Sequence, residues 1–250
     1  VEYGRLLEGA RDTAAAARPA GLLARALPQV MASRSVLAPL MLLTRALRGS
    51  EIPALAAERL PDGGLLGQLR LGLGMVAATR APGFLGGGGE RRGEGRAAPE
   101  AERRGGTLGA GRIAGVLRGC VQEGLLARVN RATERVLEAN GFRVVAVAGQ
   151  GCCGAIHAHT GDLEGARTLA RRNISAFEAA GVDVVAVNAA GCGAIMKEYG
   201  HLLARDRDFA ERAASLAARV RDIAELLGVP GLRSGGLLPL AVTYDAPCHL

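Results

Sequence analysis

The stretch Gly149-Gln150-Gly151-Cys152-Cys153-Gly154-Ala155-Ile156-His157 carries the residue types best suited to chemistry. Successive side chains of a regular strand or helix point in different directions, so two adjacent cysteines converge on one point only where the backbone turns sharply. The flanking glycines allow that turn, because they tolerate positive φ at little steric cost. Cys120 lies 32 positions before Cys152, and Cys192 lies 39 positions after Cys153. Soft thiolates drawn from separate segments point to a metal centre, with an iron–sulfur cluster as its sharpest form. Cys120, Cys152, Cys153 and Cys192 supply four thiolates, the usual number for a cluster and one that zinc also accepts. Zinc ranks second, because an adjacent pair constrains a mononuclear tetrahedral site more tightly than a pair separated by two residues. A catalytic thiol ranks third: Cys152 or Cys153 activated at a helix N-terminus, with His157 or His159 as base. Asp162 is the one acid at hand to orient such a base. His157 has two further readings, a donor to a cluster sulfur or an ordinary loop histidine. His201 reads as a surface turn residue.

The elements that must position these cysteines alternate from Arg112 onward. Strands are expected over Ile113 to Leu117, Arg143 to Val147, Val182 to Val187 and Leu240 to Tyr244, and each is followed within a few residues by cysteine: Cys120, Cys152 with Cys153, Cys192 and Cys248. Helices fall between them. One runs over Asn130 to Asn140, with Ala132, Val136 and Leu137 on one face. A second starts at the N-cap Asp162 and carries Ala166, Leu169, Ala170, Ile174 and Phe177. A third runs from Asp208 to Leu227, with Asp208 and Glu211 at capping-box spacing and Phe209, Ala213, Leu216, Val220, Ile223 and Leu227 inward. Helical crossovers favour parallel pairing. A parallel sheet places all strand C-termini on one edge, where the ligand sites of open α/β sheets lie. The expected fold is therefore α/β, a helical region followed by a parallel or mainly parallel sheet with cysteines at the strand ends.

Four segments divide the chain. Residues 1–80 read as a helical packing region without chemistry, broken or begun by Pro19, Pro28, Pro39 and Pro53. Residues 81–111, with four consecutive glycines at Gly86 to Gly89, bury too little apolar surface to offset their ordering entropy and read as a flexible linker. Residues 112–228 form a cysteine-rich domain, and 229–250 begin a second repeat that opens with Cys248.

Composition bounds the rest. Hydrophobic residues make up 49% of the chain and aromatics 3%, with no Trp, so the core must be aliphatic. The net charge of +7 is carried almost wholly by arginine. No aromatic platform or recognition helix accompanies it, which argues against nucleic acid as a partner. Five cysteines, two of them adjacent, make a poor disulfide framework. With no signal peptide or long apolar run in view, a cytoplasmic setting with reduced thiols is the expectation. The chain opens on Val1 and closes just after a cysteine, so a piece of a longer protein is expected.

Gly151-Cys-Cys-Gly-Ala-Ile-His-Ala-His-Thr-Gly161 and Asn188-Ala-Ala-Gly-Cys-Gly-Ala-Ile-Met-Lys-Glu-Tyr-Gly200 resemble the iron–sulfur subunit of glycolate oxidase. Arg118-Gly-Cys-Val-Gln122 and Tyr244-Asp-Ala-Pro-Cys-His-Leu250 fit as well, and the opening Val1 to Arg11 is similar to the stretch after that subunit's ferredoxin-like motifs. The cysteine-rich domain is shared with heterodisulfide reductases and with lactate-utilisation proteins. The resemblance implies an electron-transfer subunit of a flavin-dependent glycolate dehydrogenase, inactive alone. It carries a [4Fe-4S] cluster on Cys120, Cys152, Cys153 and Cys192, with FAD on a partner subunit and a quinone or other acceptor at the inner face of the cell membrane. An N-terminal ferredoxin domain and most of a second repeat would be missing here. Heterodisulfide reductases have a further cysteine where Ile195 stands, which argues against their five-thiolate cluster. The remaining alternatives are a heterodisulfide-reductase-like or lactate-utilisation protein, and a zinc-bound or metal-free scaffold module.

Overall fold

A computed structural model describes residues 3–17, 22–79, 108–233 and 235. The first part is helical: α1 (Tyr3–Ala17), α2 (Leu22–Ala32), α3 (Arg34–Arg48), α4 (Ile52–Arg59) and α5 (Gly64–Ala78). Pro53 opens α4 as expected, but Pro28 and Pro39 lie inside α2 and α3 instead of ending them. No single described helix is long and apolar enough to cross a membrane. Apart from 108–111, the expected linker lies outside the described residues, as do Pro19, the strand expected over Leu240 to Tyr244, and Cys248.

From residue 113 the chain winds a four-stranded sheet among the described residues: β1 (Ile113–Val116), β2 (Arg143–Val145), β3 (Val184–Val187) and β4 (Val220–Asp222). The order is β2-β1-β3-β4 and every pair is parallel, as the helical crossovers required. The chain leaves β1 for β2 through α6 (Val121–Leu125) and α7 (Ala127–Ala139). It returns past β1 to β3 through α8 (Ala155–His159) and α9 (Leu163–Ala179), then reaches β4 through α10 (Ala190–Lys197), α11 (Tyr199–Leu202) and α12 (Ala210–Ala217). A final helix, α13 (Ile223–Leu227), follows β4 directly. The winding reverses between β1 and β3, which is the switch point where doubly wound sheets bind ligands.

Strand alternation sorts the core into two layers. Val185 and Val187 face Ile174, Phe177 and Leu216 on one side, while Val184 and Ala186 face Leu137 and Leu226 on the other. Gly115 sits in the middle of β1 because Phe177 occupies its place: a Cβ there would come within 2.9 Å of Val147 and Val182 and 3.1 Å of Phe177.

Two helix expectations need correction. The single helix expected over 208–227 is interrupted by β4, so Val220 is a buried strand residue and not one position in a helical stripe. No capping box forms at Asp208. Asp206 accepts the amides of Asp208 and Phe209, and the box belongs to Asp222 and Glu225 at the start of α13. On α7 the inward residues are Asn130, Thr133 and Leu137, whereas Val136 is 37% exposed.

Candidate functional site

The loops after β1, β2 and β3 meet at the switch point, and each leads directly into a helix, capped by Cys120, Gly154 and Ala189 respectively. Cys120 is the N-cap of α6, preceded by Gly119 at φ 65°. Gly154 is the N-cap of α8 at φ 92°, in the left-handed region that an L side chain rarely adopts. Cys192 sits in the first turn of α10. Cys152 and Cys153 are buried, while Cys120 and Cys192 are half-buried, and all are free thiols.

These thiols form a row. Cys120 faces Cys152, Cys152 faces Cys153, and Cys153 donates to Cys192 at an Sγ–Sγ distance of 3.1 Å. Their titration reflects the crowding. A shared hydrogen bond with Cys152, then burial, raises the Cys120 thiol far above its usual range. Cys152 is lowered by Cys120 but raised more by Cys153 and by burial, and ends pushed up to about 11. Cys153 is lowered by Cys152 and raised further by Cys192 and burial. The backbone amides of Val121, Gly154 and Ala155 oppose this by donating to Cys120, Cys152 and Cys153 respectively. Soft sulfur held this closely, with amides aimed at it, is a donor set for iron–sulfur chemistry. Among the described residues no three His, Cys, Asp or Glu side chains surround a single-ion site.

What holds the loops is a set of buried polar side chains that sequence reasoning did not single out. Gln150 accepts the amide of Arg118 at 2.8 Å and donates to Val116 O at 3.1 Å, tying the loop after β2 to the one after β1. Asn173, fully buried on α9, accepts the Gly151 amide at 2.8 Å and donates to Cys152 O at 2.9 Å and Tyr199 Oη at 3.1 Å. Tyr199 Oη donates in turn to Cys153 O at 2.7 Å. The Cys-Cys turn is thereby fixed by its backbone, which leaves both sulfurs available. On the other side, Asn188 donates to Asn130 Oδ1 at 2.9 Å and Thr133 Oγ1 at 3.0 Å, and accepts from Gln122 at 3.0 Å. Asn130 donates to Arg118 O at 3.0 Å and Glu123 at 2.8 Å. This network joins the loop of Cys120 to that of Cys192. It also explains the polar inner face of α7, since buried polar groups need partners.

His157 is buried on α8. Its Nε2 lies 4.0 Å from Asp162 Oδ2, and its Nδ1 has no hydrogen-bond partner. Burial holds the imidazole below its ordinary pKa, against the opposing pull of Asp162. His159 lies near Arg11 of α1, with 3.4 Å between His159 Nδ1 and Arg11 Nη1. His201 is exposed, within α11 rather than a turn. Asp162 is the N-cap of α9, as expected, and accepts the Gly165 amide at 2.9 Å.

The N-terminal helices drape over this edge. Gln29 of α2 reaches Asp162, and α1 packs so closely on Gly161 that a Cβ there would meet Ala15 at 2.7 Å. Arg45 and Arg48 of α3 donate to the carbonyls of Glu123, Gly124 and Leu125 at the C-terminal end of α6, where cations are favoured.

Residues 114–197 match the CCG family model, a cysteine-rich domain. The chain is 39% identical over 135 residues to a probable glycolate oxidase iron–sulfur subunit of Bacillus subtilis, an overlap of 53% of this chain and 30% of the relative. It is 38% identical over 144 residues to the glycolate oxidase iron–sulfur subunit of Escherichia coli, covering 54% and 34%. Lactate utilization protein A of Geobacillus thermodenitrificans is 31% identical over 134 residues, covering 52% and 55%. The chain thus spans about a third of the length of the two glycolate oxidase relatives. No solved structure matches.

Proposed function

We propose, from the premise that residues 114–197 are a CCG cysteine-rich domain, that this chain is an iron–sulfur electron-transfer subunit. Its place would be in a flavin-dependent complex that oxidises glycolate to glyoxylate. The observation that carries the reading is the row of thiols Cys120, Cys152, Cys153 and Cys192, gathered from three strand ends at the switch point. The relatives' names supply the substrate and the status of a subunit within a larger oxidase, and a flavin-bearing partner is what the family resemblance implies.

The four cysteines would hold a [4Fe-4S] cluster, which when bound supplies one-electron transfer between reduced flavin on the partner and a quinone or other acceptor. Everything else falls to the chain's own residues. Asn173 and Tyr199 fix the Cys152-Cys153 turn through its carbonyls, so both sulfurs keep their direction. The Val121, Gly154 and Ala155 amides donate to sulfur and would tune the potential of a bound cluster, because hydrogen bonds to the ligating sulfurs are one of its determinants. Burial of Cys152 and Cys153 excludes water from one side of the centre. The raised thiols make binding proton-linked: the protons shared along the row must leave as metal enters.

Anaerobic reconstitution with iron and sulfide, on this chain and on Cys153→Ser, tests the reading. About four iron and four sulfide per chain, with a reducible signal by electron paramagnetic resonance that the variant loses, is the expected result. No iron in either protein, or zinc alone, would sink it.

A further inference from the structure

A cavity of 640 Å³ lies between α2–α3 and the loops after β1 and β2. Its two sides differ in kind. Met31, Leu37, Met41 and Leu42 of α2 and α3 make an apolar wall, and Cys120 and Cys152 line the opposite side. The volume is that of a small-molecule site, for which about 300–1,000 Å³ is usual. A packing defect between helices would be lined by apolar side chains alone, whereas this one exposes two members of the thiol row. Leu42, on the rim, is 68% exposed, so the cavity opens to the outside past α3.

The polar lining narrows the choice of ligand. Arg45 is committed to the carbonyls of Glu123 and Gly124, and Glu123 to Asn130 and Arg131. Arg118 gives one nitrogen to Glu134 at 3.3 Å and is 39% exposed, which leaves the rest of its five N–H donors for a ligand oxygen. A small dianion or a sugar would leave the Met–Leu wall unused. An uncharged flat ring with one or two carbonyl oxygens uses both the wall and the donor.

We propose that this cavity binds the electron acceptor, a quinone-type ring, with its face on Met31, Leu37 and Met41 and its carbonyl toward Arg118. Cys120 and Cys152 then mark the side from which electrons arrive. The assignment rests on the redox reading above. Each quinone takes two electrons, delivered one at a time and originating in the partner's reduced flavin, and two protons from water at the open rim; it leaves as the quinol.

The test is equilibrium dialysis of a short-tailed ubiquinone analogue against the reconstituted chain and against the metal-free chain. The variant is Ala38→Phe, which adds a ring inside the cavity from an exposed position of α3. Saturable binding, weakened about tenfold or more by a ring that takes the ligand's place against the apolar wall, with iron and sulfide content unchanged, is the expected result. If Ala38→Phe does not fold, Leu42→Gln makes the rim polar at a side chain already in water and should weaken binding in the same direction. Equal binding by wild type and a folded variant, or no binding by a chain that holds iron and sulfide, would overturn the cavity assignment. Binding by a chain that takes up no iron would support the cavity and sink the redox reading alone.

Discussion

Asn173→Ala is the perturbation that most directly tests how the Cys-Cys turn is held. Asn173 is fully buried, and truncation removes the partners of the Gly151 amide and the Cys152 carbonyl, both in buried residues. Tyr199 Oη loses one contact but still donates to Cys153 O. A buried group left without a partner costs about 1–3 kcal/mol, so the two together cost about 2–6 kcal/mol. Set against a domain stability of about 5–15 kcal/mol, that is a large share. At about 2–4 °C per kcal/mol for a chain of this size, Tm should fall by about 4–24 °C. Asn173→Leu separates polarity from volume: it fills the space but satisfies neither group, so it should lose nearly as much. Tyr199→Phe, which strips the donor from Cys153 O, should cost about 1–3 kcal/mol on the same ground, and its effect should not add to that of Asn173→Ala, because the two side chains share one network. The assay is chemical and thermal unfolding of the metal-free chain, paired with the rate at which a thiol reagent reaches Cys152 and Cys153. Asn173→Leu within about 1 kcal/mol of wild type, a loss no larger than one ordinary hydrogen bond, with unchanged thiol labelling, would refute the reasoning.

Burial keeps His157 below its ordinary pKa of about 6.5, so the folded chain takes up this proton less readily than the unfolded chain. Its contribution to stability is therefore full above about pH 6.5 and falls as pH drops through that value; denaturant titrations from pH 7.5 to 5 should show the slope, and the same slope in His157→Leu would refute the assignment. Gly154→Ala forces a side chain to φ 92° with its Cβ 3.3 Å from Ala166 Cα and O, and should cost about 1–3 kcal/mol in unfolding experiments. Gly191→Ala, inside α10 with nothing within 4 Å of the added Cβ, is the control and should be neutral or stabilise by up to about 1 kcal/mol. In the metal-free chain a mild disulfide oxidant should join Cys153 to Cys192, whose sulfurs stand 3.1 Å apart, lowering the free-thiol titre by two; Cys192→Ser with an equal loss would refute that pairing.

The convergence of Cys120, Cys152, Cys153 and Cys192 was legible because it follows from topology. Helical crossovers force parallel strands, parallel strands share a C-terminal edge, and cysteine follows each of β1, β2 and β3. β4 was not legible from periodicity: Phe209, Ala213, Leu216, Val220, Ile223 and Leu227 keep helical spacing through an Ala-rich stretch with no Gly or Pro until Gly228. The signal that could have revealed it was Asp222 three residues before Glu225, a capping box that announces a new helix and hence a break before it. The supporting polar residues were hidden for a different reason. Asn130, Thr133 and Asn173 occupy positions where a polar side chain on an amphipathic helix ordinarily marks the wet face. Only their partners, up to 58 positions distant, make them interior.

Those partners also say why the site edge is polar within while the sheet beneath it is aliphatic. A metal centre built on loops needs its ligands aimed, and apolar contacts are non-directional. Asn173, Tyr199, Gln150 and Asn188 instead fix individual carbonyls and amides of the loops after β1, β2 and β3. Each bond joins two loops or a loop and a helix, so no one loop can shift without leaving a buried group unpaired. The thiols bring the opposite tendency: packed as neighbours and wholly or partly buried, Cys120, Cys152 and Cys153 ionise less readily than a free thiol. A backbone frame held in this way can form before any occupant arrives. Metal-free chain and loaded chain should then share the same amide protection in β1 and β3 and differ at Cys120, Cys152, Cys153 and Cys192, a contrast that hydrogen exchange reads directly.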